Sequence, residues 1–195
     1  MNLRKFGWLF MTTLLIGGAG GVLSGFLIAW TELTKSTMGN FFMGTLANLL
    51  FGATISIVAQ MGLFAYMTFN YMMLSIFRGG VLWRNIQVFF ILFTFFDMAY
   101  LRYNTLSRGE SLWPYLIEPV GLLIAAIVFA YVKVKLTNPT AWVPTIFFLF
   151  VVTALEWIPG LKEQHASSII SFIIPLMACN VWQVLHLHRL TKKES

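Results

Sequence analysis

Residues 86–103 read IQVFFILFTFFDMAYLRY, an apolar run of helix length with two ionisable residues inside it, Asp97 and Arg102. A run this apolar reads as a membrane span, because in lipid the backbone must satisfy its own hydrogen bonds in a helix or a closed barrel. An acid within such a span is costly unless it faces protein or a polar cavity. What surrounds Asp97 is therefore the first question the chain poses.

Composition points the same way. The 195 residues are 58% hydrophobic and 10% charged, where a soluble domain carries about 25% charged residues. The net charge of +6 is not gathered on one soluble face, as binding to nucleic acid requires, so no nucleic-acid partner is expected. The basic residues lie in short segments between apolar runs, the pattern that sets membrane orientation. A single cysteine, Cys179, excludes an internal disulfide framework and a multi-cysteine metal site. The N-terminus begins like a secretion signal, with Arg4 and Lys5 before an apolar stretch. Apolar sequence then continues to Trp30, so this segment is read as an uncleaved first span.

Six runs are long enough to cross a bilayer, at about 7–30, 42–69, 85–103, 113–133, 141–159 and 167–188. At ~1.5 Å per residue each covers about 28 Å or more, close to a hydrocarbon core of ~30 Å. The expected fold is all-α: a polytopic protein of the cell membrane, with residues 1–195 forming a single integral domain, a bundle of six transmembrane helices. With the N-terminus inside, Arg4, Lys5, Arg78, Arg84, Lys133, Lys135, Arg189, Lys192 and Lys193 fall on the inner side. Lys35, Arg102, Arg108 and Lys162 fall outside. The more basic side faces the cytoplasm, which puts both termini there, and the basic tail then meets anionic lipid.

The intramembrane charges gather at one depth. Asp97 is thirteen residues from Arg84, roughly 20 Å along a helix. Glu118, Glu156 and Arg102 lie near the outer ends of their spans. Asp97 and Arg102 are five apart, about 140° around a helix at ~100° per residue, so they make poor partners. Arg102 is expected to meet Glu118 or Glu156. Asp97, Arg102, Glu118 and Glu156 are thus read as an intramembrane polar pocket opening outward, sensitive to protons, cations or a small ligand. The competing reading is an ion-pair network that fixes helix register.

Two stripes of small and polar residues accompany these charges. Gly17, Gly21 and Gly25 recur every four residues in span 1, beside Gly20 and Ser24. This face lets another backbone approach closely, for packing within the bundle or for docking a partner's span. In span 2, Gly44, Asn48, Gly52, Ser56 and Gln60 share that spacing. The stripe faces inward, because amides are costly in lipid; it serves internal hydrogen bonding or a solute path. Trp8, Trp30, Trp83, Trp113, Trp142 and Trp157 fall near span ends and are read as interfacial anchors.

The motifs of catalysis are missing. There is no HExxH, GxSxG, Walker loop or dinucleotide fingerprint. His186 and His188 are two apart, on different helix faces, with no carboxylate or cysteine adjacent. The reading is a non-enzyme without metal or cofactor.

Several stretches carry a resemblance: TTLLIGG at 12–18, QMGLFAY at 60–66, ILFTFFDMAYLRY at 91–103, YVKVKLTN at 131–138, VVTALEWIP at 151–159 and CNVWQVLHLHRL at 179–190. In their order they resemble the KinB-signalling pathway activation proteins (KbaA) of endospore-forming bacteria, across nearly the whole chain. The resemblance implies a membrane accessory protein required for activation of a membrane sensor histidine kinase, which feeds the phosphorelay that starts sporulation. It supplies no catalytic residues. Candidate contacts are the glycine face of span 1, the loop around Arg78 and the basic tail. The alternative is a small transporter or an ion- or proton-responsive membrane protein.

Overall fold

The computed structural model describes residues 3–35, 37–77, 80–106, 113–161 and 166–191. Helix α1 (Leu3–Lys35) is followed by α2 (Met38–Ile76) and α3 (Val81–Leu106). A 3-10 turn at Trp113–Leu116 leads into α4 (Ile117–Leu136), and another at Pro139–Ala141 into α5 (Trp142–Phe147). A π-helical turn (Phe148–Val152) joins α5 to α6 (Thr153–Leu161), and α7 (Ala166–Thr191) ends the described chain. Among the described residues there is no strand.

Six stretches are long and apolar enough to cross a membrane: Arg4–Ile28, Met38–Ile76, Val81–Asn104, Ile117–Leu136, Pro139–Ile158 and Ser167–His188. Their ends lie within a few residues of those read from hydropathy, except in α2. That helix has 39 residues, about 58 Å at ~1.5 Å per residue. Beyond the run read at 42–69, the chain stays helical as far as Ile76, because nothing before the Gly79-Gly80 pair interrupts the helix formers. Gly80 has φ 58°, a left-handed conformation that glycine adopts without penalty. Arg78 and Gly79 lie outside the described residues.

The helices sort into two compact units. The first contains α1, α2 as far as Met61, and α7. In it α1 and α7 run antiparallel: Gly20 packs on Pro175, Gly17 on Cys179, and Trp8 near the start of α1 lies against Trp182 and His186 near the end of α7. Helices α1 and α2 are also antiparallel, with Phe26 stacked on Phe41 and Gln60 donating to the carbonyl of Phe10.

The second unit runs from Gly62 through α6, and its core is aromatic. Phe147 meets the rings of Tyr66, Trp83 and Phe90 at 5.9, 5.9 and 6.4 Å. Seven consecutive residues, Thr145 to Val151, are buried. A helix enclosed on every side must be apolar on every side, and TIFFLFV meets that demand apart from one hydroxyl. Two of the six tryptophans read as anchors belong to this interior: Trp83 is 3% exposed and Trp157 2%. Trp83 is held by an indole N–H bond to Asn70 Oδ1 at 2.8 Å and an edge contact with Phe69. Its neighbours are side chains of this unit, so it is a core residue despite its place near a span end.

Candidate functional site

The second unit holds the four charges singled out in the sequence. Arg102 is 6% exposed, and its Nη2 lies 2.5 Å from Glu118 Oε1. Glu118 stands in the first turn of α4, where the exposed N–H groups and dipole of the helix start favour an anion. Pro119 beside it is tolerated because first-turn N–H groups have no intrahelical partner. The rings of Tyr103 and Tyr115 meet edge to face at 5.9 Å, closing α3 against the turn that precedes α4. Glu118 is one of the two partners expected for Arg102.

Glu156 is part-buried on α6, and its carboxylate lies over Gly62, where a Cβ would occupy the same space. Gly62 is therefore the seat of this acid, a role that the hydrophobic run around it did not reveal. The π turn immediately before α6 sets the face on which Glu156 emerges.

Asp97 stands apart from the ion pair. It is exposed on α3 and makes no hydrogen bond or ion pair among the described residues. The structure therefore does not bring it into a pocket with Arg102 and Glu118. The physical reason is the ~140° that separates positions five apart on a helix. With Trp83, Gln87, Met98 and Arg102 turned inward, Asp97 turns outward beside Phe93, Phe96 and Tyr100. Lys133, counted among the inner basic residues, is buried in α4.

The stripes occupy the first unit. Gly17 and Gly21 lie against Gly52 of α2, so closely that a Cβ on any of the three would meet backbone atoms. Gly25 faces the Asn48 side chain. Gly20 and Ser24, on the adjoining face of α1, are buried. The glycine face is thus covered by helices of its own unit. The polar stripe of α2 lies along the same seam: Ser56 is beside Gly17, and Gln60 donates to Ser56 Oγ at 3.2 Å. Cys179 is buried and points to the carbonyl of Thr13 at 3.6 Å. Trp182 Nε1–H donates to Thr12 Oγ1 at 3.0 Å. His186 lies on the Trp182 ring at 3.8 Å between centroids, packed on an aromatic neighbour. Among the described residues no group of three or more His, Cys, Asp or Glu could hold a metal ion.

The family model described as KbaA, KinB-signalling pathway activation in sporulation, matches residues 17–190. The chain belongs to this family. A curated relative from Bacillus subtilis (strain 168), named KinB-signaling pathway activation protein, is 35% identical over 190 residues, which cover 94% of this chain and 96% of the relative. No solved structure matches the chain. The family is one of signalling pathway activators, and the residues brought together here have the character of packing and charge pairing.

Proposed function

We propose that this chain is a multi-pass protein of the cell membrane, with both termini in the cytoplasm, that activates a sensor histidine kinase pathway leading to sporulation. It acts by helix or loop contacts with the kinase and without chemistry of its own. The observation that carries the reading is the family match over residues 17–190, with the relative's name in support. Six helices of sufficient length and apolarity agree with a membrane location.

The physical route is differential binding: a partner that contacts one kinase state better shifts the population toward it. The glycine face of α1 is occupied within its own unit, which leaves the segment around Arg78, the basic tail and outward helix faces as contact surfaces. Arg78, Lys192 and Lys193 lie outside the described residues. The Arg102–Glu118 pair is read as fixing the register of α3 on α4.

The test is complementation. The chain, expressed in a spore-forming host that lacks its own copy, restores sporulation and phosphate flow from the kinase. Failure of a well-accumulated chain to restore either overturns the proposal. Solute flux from the purified protein alone in liposomes, lost in Asp97→Asn, would instead establish a transporter.

A further inference from the structure

We propose that the outward face of α3 around Asp97 docks a membrane helix of a partner protein that carries a lysine or arginine at the same depth. The inference rests on the membrane-spanning reading above; under the proposed function, the partner is the kinase.

Asp97 lies inside the apolar stretch Val81–Asn104, yet it is exposed and has no hydrogen bond or ion pair among the described residues. It is seven residues from Asn104, about 10 Å along the helix, too deep for so short a side chain to reach the interface. A carboxylate at that depth is stable against a protein partner and costly against lipid.

The surroundings define which partner. On a helix, residues three and four apart are surface neighbours, so Asp97 is flanked by Phe93 and Tyr100, with Phe96 next to it in sequence. All three aromatics are exposed, as is Phe89. Phe89 and Phe93 stack with centroids 6.3 Å apart, which sets an aromatic pair one turn from Asp97. An acid attracts a cation, and aromatic faces attract the same cation through their quadrupoles. A second copy is the wrong occupant. Symmetric pairing of this face about an axis through the membrane sets Asp97 against Asp97, and like charges at low dielectric repel.

The test places a photo-crosslinking phenylalanine derivative at Phe96 in the full chain, in native membranes, with the same probe at exposed Ile124 of α4 as a control. The expected result is capture of the tagged kinase from position 96 and not from 124. Asp97→Lys lowers capture at least tenfold, and Asp97→Leu lowers it equally while the protein accumulates to at least its normal level. Replacing the captured helix's lysine or arginine by aspartate restores capture by Asp97→Lys.

Self-capture, capture of lipid alone, capture within the same chain, or kinase capture indifferent to Asp97 would each overturn the docking face. So would a fall in the level of Asp97→Leu, since that marks an internal role for the acid. Restoration of sporulation by the unaltered chain is scored in parallel. It stands or falls with the proposed function and is independent of where the kinase docks.

Discussion

The two units hold their helices together in opposite ways. In the first, side chains are left out: Gly17, Gly21 and Gly52 bring two backbones into contact, and the remaining polarity is spread over hydroxyls, amides and one thiol. In the second, space is filled by rings around Phe147 and Phe148, and charge is paired between a buried arginine and a part-buried glutamate. A backbone seam cannot accept any added atom, whereas a core of flexible or planar side chains can yield by a few tenths of an ångström. The same membrane-compatible composition therefore yields one unit sensitive to volume and another sensitive to charge.

Substitutions sharpen that contrast. The largest effect is expected for Gly21→Leu, whose side chain meets the Asn48 carbonyl and the backbone of Gly52. Its steady-state level in membranes should fall at least tenfold, and normal accumulation would show that the seam can open. Next is Arg102→Met, which takes the cation from the part-buried Glu118 and should lower stability by about 3 kcal/mol, the low end of the range for a fully buried pair, read as thermal unfolding in detergent. Adding Glu118→Leu to it should recover most of that loss; a double variant no better than the single would remove the pair from the account of this unit. Gly62→Ala displaces a side chain, not a backbone, so its cost should be smaller, about 1–3 kcal/mol. Trp83→Phe keeps the ring packing and loses the bond to Asn70, at about 1 kcal/mol. Gly7→Leu, with nothing within 4 Å of its Cβ position, should leave the level unchanged and serves as the control for the first.

The candidate spans were legible because hydropathy over some twenty residues is a strong signal, and the four-residue spacing of the stripes put their small residues on one helix face. The length of α2 was not, since Tyr71–Ile76 is apolar without a breaker and hydropathy cannot separate a span from its helical extension. The π turn was equally hidden: from Ile146 to Val152, IFFLFVV is apolar at every position and carries no period from which to count. For the charges, spacing separated Asp97 from Arg102 but did not say which one turned inward. A usable signal was there. Gln87, Met98 and Arg102 fall within about 60° of one another around the helix and bring its amide and guanidinium to one side. Phe89, Phe93, Phe96 and Tyr100 fall on the other, and Asp97 flanks them.

The wide turn at Phe148–Val152 has one more consequence. A π turn accommodates an extra residue in a helix and displaces everything after it around the axis by about 100°. Glu156 meets Gly62 only because that slippage has occurred. Shortening the segment by one residue would unwind it, and the carboxylate would point to a different neighbour although no residue of α6 had changed.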